Sequence, residues 1–186
     1  EIKGAFEMLE VVSLLKERCK GFTALFIGQP VKYIEEQFYN YIKDNQLEDY
    51  IEITGRLQYR EISNLLNNCK VGLIALHDVP KFHKQSATKL FEFFAKGNPV
   101  VSVDLPPERK YMEPGVDGIL VPPQDAASMA EAVYEIISNP EKGEEMAKAC
   151  RANFISKKLY AEHDCEKLIE FYKYILKNPR KLFSKA

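Results

Sequence analysis

The sequence has no excess of charge of either sign and no long apolar run. Its 186 residues include 26 Lys and Arg against 27 Asp and Glu, which gives a formal net charge of -1. A chain this close to neutrality has no overall field to attract DNA or RNA, so we expect no nucleic-acid partner. No apolar segment approaches the ~20 residues that span a bilayer, and no hydrophobic signal stretch follows a charged start. We therefore predict a cytoplasmic protein whose membrane contact is at most peripheral.

Cysteine is scarce, and its positions lie far apart. Cys19, Cys69, Cys150 and Cys165 lack the paired spacing of a metal site. A chain of 186 residues that is 46% apolar and 28% charged buries enough surface to fold without a disulfide or a structural metal. We therefore predict reduced thiols, no bound metal and a single domain over residues 1–186.

Apolar residues alternate between helical spacing and short strand-like runs. The predicted elements in chain order are a helix from Phe6 through Leu15, a strand at 24–27, a helix at 33–46, a strand at 50–54, a helix at 59–68, a strand at 71–76, a helix at 88–96, a strand at 100–103, a proline-rich loop, a strand at 118–121, a helix that Asp125 caps and that runs through Ile137, and helices near 141–152 and 160–177. This alternation predicts an α/β fold, a doubly wound Rossmann-like parallel sheet with helices on both faces. Ligands bind such sheets beyond the carboxyl ends of the strands, where helices begin.

Two blocks of the second half carry a family resemblance. Residues 86–101 read SATKLFEFFAKGNPVV, and residues 115–125 read GVDGILVPPQD. The second block begins with a Gly-x-x-Gly turn and ends with Pro-Pro-x-Asp. The first resembles the donor-nucleotide segment of retaining glycosyltransferases of family 4, which have the two-domain GT-B fold, and the second resembles the block that follows it. Shorter matches lie at residues 3–4 and 53–57. The likeness covers nearly the whole chain, but only the C-terminal half of a complete enzyme.

The resemblance implies that the chain is the nucleotide-sugar-binding domain of such an enzyme. In the family the first domain carries the acceptor site and a catalytic His, and sugar transfer proceeds with retention and without an obligatory metal. We therefore expect no catalytic residue in this domain, no cofactor, and no transfer by the domain alone. A start at Glu1 rather than Met agrees with a piece of a longer polypeptide, which could lie peripheral to the inner membrane.

Glu92 is the first candidate for a binding residue. On a helical wheel it shares the polar face with Thr88, Lys89 and Lys96, and the wheel alone favours a solvated carboxylate supported by the two lysines. The family resemblance implies instead that Glu92 binds both ribose hydroxyls of the donor. An ionised carboxylate suits that role because it accepts two charge-assisted hydrogen bonds.

The diphosphate site is predicted at the start of the same helix. Backbone N–H groups of Ser86, Ala87 and Thr88 should face the diphosphate, with Lys89 beside them, and the alternative is an ordinary Ser or Thr cap. Lys3 resembles the family's phosphate-binding Lys, and its alternative is a surface Lys at a helix start.

The nucleobase and the donor sugar are assigned to two loops. Gly55, Arg56 and Leu57 would border the base, with Leu57 against its face, and the alternative is a simple turn with a solvated Arg56. His83 and Lys84 mark the donor-sugar region. The family has a second Glu eight residues before the ribose-binding one, and that position is Lys84 here, so the usual carboxylate contact to the sugar is missing.

The strand that opens this domain in the family lies outside the sequence. In the family's strand order, 3-2-1-4-5-6, that first strand is central. We therefore predict a vacant strand position, here called the lane, between the strands at 24–27 and 71–76. Because unpaired backbone in a buried lane is costly, we expect residues before Glu1 or another chain to supply the missing strand. Direct pairing of those two strands would contradict the prediction.

Three functions remain open. The first is donor binding in a glycosyltransferase that uses a uridine, guanosine or adenosine diphosphate sugar and a glycan or lipid-linked acceptor. The second is a GT-B epimerase acting on a nucleotide sugar. The third is a non-catalytic nucleotide-binding or interaction module that works on a partner subunit. The sequence leaves the base, the sugar and the acceptor undetermined.

Overall fold

The computed structural model describes residues 4–178 and consists of alternating helices and short strands. The elements are α1 (Ala5–Lys16), β1 (Ala24–Phe26), α2 (Glu35–Asp44), β2 (Ile51–Ile53), α3 (Tyr59–Leu66), β3 (Gly72–Ile74), α4 (Thr88–Lys96), β4 (Val100–Val103), α5 (Pro106–Tyr111), β5 (Gly118–Val121), α6 (Ala126–Ser138), α7 (Pro140–Ser156) and α8 (Ala161–Lys177). Short 3₁₀ segments at Glu48–Tyr50 and Pro80–His83 complete the pattern. No helix within residues 4–178 combines the length and the apolarity needed to cross a membrane.

All strand pairs are parallel, which confirms the predicted α/β class. Strands β1 and β2 form one sheet, and β3, β4 and β5 form a second sheet in that order. In the second sheet Val100 of β4 lies opposite Gly72 of β3 and Gly118 of β5. Within the described residues β1 and β3 do not pair. The direct pairing that would have contradicted the predicted lane is therefore not observed, and what lies between the two sheets stays a prediction.

Helix α1 joins two hydrophobic cores. Its residues Leu9 and Val12 pack into a smaller cluster with α2, whereas Val11 and Leu15 belong to the larger cluster under β3, β4 and β5. All four side chains are buried. The two sheets are thus connected by side chains that α1 sends to both sides.

Residues 106–111 correct the sequence analysis, which predicted a proline-rich loop there. They form α5, with Leu105 in an extended conformation at the cap and Pro106 at the first position. A proline in the first turn of a helix has no hydrogen bond to lose, so the pair Pro106-Pro107 starts a helix rather than preventing one. This correction matters because α5 carries a fully buried glutamate, Glu108.

Helix α4 follows the predicted bounds and is anchored through one face. Leu90 and Phe94 are fully buried between the larger sheet and α7. The helix ends at Gly97, in left-handed conformation, where an added Cβ would lie 3.1 Å from the carbonyl oxygen of Ala147 in α7. These contacts fix the direction of α4, so its amino-terminal end lies at the carboxyl edge of the sheet.

Candidate functional site

The amino-terminal end of α4 has no side-chain cap. Ala87 occupies the cap position with an extended backbone (φ −68°, ψ 127°) and offers no side-chain acceptor. Ser86 and Ala87 are half-buried, whereas Thr88 and Lys89 are exposed. A helix end without its own cap can satisfy its N–H groups with an anion, which the helix dipole attracts. The diphosphate role predicted for these four residues remains a prediction.

Glu92 lies in a groove between α3 and α4. It is the fourth residue after Thr88, so it stands about 6 Å along the helix axis from the amino-terminal end. Its side chain is half-buried, and Tyr59 at the start of α3 is exposed on the opposite wall. The lining residues of the groove are Tyr59, Ile62, Ser63, Leu66, Glu92, Ala95 and Lys96. Glu92 therefore lines a shallow depression between the two helices, and its ribose-binding role stays a prediction.

A second carboxylate touches the end of α4, and the sequence analysis missed it. Glu108 of α5 is fully buried. The Ser86 hydroxyl donates a hydrogen bond to Glu108 Oε1 at 3.1 Å. Burial raises the pKa of Glu108, and hydrogen bonds from its own backbone, from Ser86 and from the Ala87 N–H lower the pKa in part. Its Oε2 atom has no hydrogen-bond partner among the described residues.

The predicted base loop follows β2 and bends back towards β1. Gly55 has a φ of 68°, which favours glycine, and forms a backbone bridge with Gly28. The Thr54 hydroxyl donates to the Gly55 carbonyl oxygen at 3.0 Å. Arg56 is exposed and Leu57 is half-buried. The loop leads within two residues into the α3 wall of the groove, so base binding by Gly55, Arg56 and Leu57 remains compatible with the geometry and untested.

The predicted sugar region is an exposed 3₁₀ segment and the residue after it. His83 hydrogen-bonds the carboxylate of Asp78, which fixes its ring on the surface. Lys84 follows, also exposed. Neither residue lines the groove that contains Glu92. Lys3, the predicted phosphate-binding residue, lies outside the described residues.

A further acidic residue at this edge of the sheet was not singled out from the sequence. Glu7 in the first turn of α1 approaches His77, which follows β3, with Oε2 3.9 Å from Nε2. Burial raises the pKa of Glu7, and His77 lowers it in part. The two elements approach closely because residue 4 is glycine: a Cβ there would lie 2.1 Å from the Ala75 carbonyl oxygen. Helical spacing gave no signal for Glu7, because its burial depends on β3.

Comparison with known proteins identifies relatives over most of the chain. Residues 1–153 match the family described as Glycosyl transferases group 1. Alpha-D-kanosaminyltransferase from Streptomyces kanamyceticus is 30% identical over 101 residues, which are 54% of this chain and 25% of that protein. The chain therefore spans about a quarter of the length of this curated relative.

Solved structures share the fold. A glycosyltransferase from Rickettsia africae superposes with a TM-score of 0.82 at 21% identity, over 96% of this chain and 46% of that one. The Anabaena protein HepE, solved in complex with UDP, gives a TM-score of 0.76 at 18% identity, over 90% of this chain and 44% of that one. In both cases the matched region is less than half of the larger protein.

Proposed function

The chain belongs to the group 1 glycosyl transferases, and from that premise we propose that it is the domain that binds the nucleotide diphosphate sugar. The enzyme would be a hexosyltransferase that moves the sugar to a glycan or lipid-linked acceptor with retention of configuration. The observation that carries this proposal is the position of Glu92, which lines a groove one helical turn from the uncapped end of α4. One nucleotide can contact both features.

The chemistry of the two features matches the two parts of a nucleotide. A helix end with unsatisfied N–H groups attracts a diphosphate. A carboxylate about 6 Å further along the helix can accept hydrogen bonds from both ribose hydroxyls. The UDP bound to the Anabaena protein supports a nucleoside diphosphate as the ligand class. The name of the Streptomyces relative supports a hexose-type sugar.

The remaining parts of the enzyme are also proposals. The chain spans a quarter of its curated relative, so we assign the acceptor site and the catalytic His to a further, amino-terminal domain. Diphosphate stabilisation by helix N–H groups and by Lys3 needs no obligatory metal and no cofactor. We further propose that the enzyme works in the cytoplasm, at most peripheral to the inner membrane.

The direct test is ligand binding by this chain. UDP, GDP, ADP and their sugar derivatives are each added, and the melting temperature is followed. A ligand at 100 times its dissociation constant stabilises the folded state by about 2.7 kcal/mol, which for a chain of this size raises the melting temperature by several degrees. We expect one base to be preferred. The variant Glu92→Gln should lose most of that stabilisation.

Controls separate specific binding from charge effects. Glu144→Gln removes a charge from an exposed site on α7 and should bind the nucleotide like the wild-type chain. Inorganic pyrophosphate should stabilise far less than the preferred nucleotide. If no nucleotide stabilises the chain at millimolar concentration, the proposal is wrong and an interaction module becomes the better description.

A further inference from the structure

Glu108 occupies an unusual position for a carboxyl group. It is fully buried in α5, yet it accepts a hydrogen bond at 3.1 Å from the hydroxyl of Ser86, two residues before α4 begins. Its second oxygen has no partner among the described residues. A buried polar atom without a partner destabilises the folded state, so a glutamate is unfavourable at a purely structural position.

Within residues 4–178, the basic side chains of the 3₁₀ segment and of α5 contact groups other than Glu108. On the 3₁₀ segment that packs against α5, Lys81 lies over the Phe82 ring and His83 hydrogen-bonds Asp78. On α5 itself, Arg109 pairs with Asp104, and Lys110 lies over the ring of its neighbour. On α4, Lys89 is exposed. Burial raises the pKa of Glu108, and hydrogen bonds offset part of that rise.

A diphosphate at the start of α4 and an ionised Glu108 would compete for the same helix end. Both are anions, and the dipole of α4 stabilises negative charge within its first turn only. Repulsion between two anions in a partly buried site is stronger than in water. A neutral Glu108 carries no such repulsion, and its carboxylic acid can still accept the hydrogen bond of Ser86.

We propose that Glu108 is a positioning residue that holds Ser86 at the start of α4 and takes up one proton when the nucleotide sugar binds. This inference rests on the proposed function, because it needs a diphosphate at that helix end. The proton comes from solvent and adds to the carboxylate, and no other bond changes. By linkage, the affinity for the donor is highest when Glu108 is already neutral and falls as it ionises.

The test is the pH dependence of donor binding, measured by calorimetry with UDP-glucose, GDP-mannose and ADP-glucose. Both phosphates of these probes are esterified, so the probes do not titrate between about pH 5 and 8. In the wild-type chain we expect the affinity to fall with rising pH, by at most about tenfold per pH unit. Titrations in two buffers of different ionisation enthalpy should show the uptake of up to about one proton.

Two variants distinguish positioning from a merely structural role. Glu108→Gln keeps the shape and removes the ionisation, so its affinity should be independent of pH and no protons should be taken up. Ser86→Ala removes a hydrogen bond that lowers the pKa of Glu108, so the fall in affinity should move to higher pH. Glu113→Gln, at an exposed site shortly after α5, should keep the wild-type pH profile.

The possible outcomes are distinct. If the wild-type chain binds none of the three probes, the proposed function and this inference both fail. If it binds one of them but Glu108→Gln shows the same pH profile and proton uptake as the wild type, the inference is overturned and the proposed function stands. Should Glu108→Gln fail to fold, the proton uptake of the wild type and the shifted profile of Ser86→Ala decide the question.

Discussion

Helices α4 and α6 both begin at the carboxyl edge of the larger sheet, and their first turns are completed in different ways. At α6, Asp125 caps its own helix by accepting hydrogen bonds from the Ser128 N–H at 2.9 Å and from the Ser128 hydroxyl at 2.6 Å. At α4, Ala87 offers no such acceptor, and the nearest carboxyl group, Glu108, comes from another helix. The start of α6 is capped by the residue that directly precedes it, whereas the start of α4 depends on a side chain from another helix.

The two carboxyl groups also respond to pH in opposite directions. Hydrogen bonds from Ser128 lower the pKa of Asp125, which therefore stays ionised at its helix end. Burial raises the pKa of Glu108. A permanently charged cap excludes a second anion, whereas a carboxyl group that can become neutral leaves the helix end available. The contrast supports the proposal that α4, rather than α6, is the helix that holds the anionic ligand.

The largest effect is expected from Glu92→Ala. It removes hydrogen bonds to the ribose, each worth about 1.5–3 kcal/mol when charged, so the affinity for the preferred nucleotide should fall roughly 10- to 100-fold. Chain stability should change by less than about 0.5 kcal/mol, because the site is a groove wall. Calorimetry with the ribonucleotide and its 2′-deoxy analogue is the measurement. Equal discrimination between the two ligands by wild type and variant would exclude ribose binding by Glu92.

A smaller effect is expected in the pH dependence of stability. Because the pKa of Glu108 in the folded chain lies above its ordinary value of 4.5, the folded state holds more protons, and stability falls as pH rises through this region, by at most about 1.4 kcal/mol per pH unit. Urea unfolding of Glu108→Gln should lack that component. Asp125 contributes with the opposite sign, because its pKa is lowered: it stabilises the folded chain above pH 3.8, and this stabilisation is lost on acidification. The variant Asp125→Asn should lack that acid-dependent loss. Identical pH profiles for wild type and Glu108→Gln would contradict the raised pKa.

Removal of the α6 cap should have a modest cost that is confined to stability. Asp125→Ala leaves the first N–H groups of α6 without their acceptor, and the melting temperature should fall by about 2–4 °C. Nucleotide affinity should be unchanged, because the proposed diphosphate site lies at the start of α4 and does not include Asp125. A large loss of affinity in this variant would place part of the ligand site at α6.

The smallest effect is expected when α4 receives a cap of its own. Ala87→Ser supplies a hydroxyl acceptor and should stabilise the chain by about 0.5 kcal/mol, at the low end for N-caps because Glu108 already occupies part of this end. The same hydroxyl competes with the diphosphate for N–H groups, so nucleotide affinity should fall slightly. Ala127→Ser, in the first turn of the already capped α6, is the matched control and should change neither quantity.

The elements that local sequence rules describe were predicted well. Helix α4 and strands β4 and β5 have the predicted bounds, and Asp125 caps α6 as expected, because apolar spacing and capping chemistry are encoded within a few neighbouring residues. Helix α5 was missed because two successive prolines were interpreted as a loop signal. The loss of α5 from the prediction also concealed Glu108, since its burial requires a helix that packs under the start of α4.

Local sequence likewise predicted one part of the candidate site and not the other. Glu92 could be selected from the sequence because the motif around it carries a family resemblance and its helix is amphipathic. The neighbours of Glu92 across the groove, Tyr59 and Ser63, belong to a helix about 30 residues earlier, and only the packing of α3 against α4 brings them together. Contacts between segments that are distant in the chain depend on packing, which periodicity does not report.

The sequence by itself determined the alternation of strands and helices and the parallel sheet, because these depend on the spacing of neighbouring residues, whereas it left an ordinary Ser or Thr cap open at the start of α4. Tertiary structure alone decided that a carboxyl group from α5 lies beneath that uncapped helix end and loses its contact with water. The physical reason is that desolvation is a property of the surrounding packed atoms. The same glutamate in an exposed loop would be an ordinary ionised side chain.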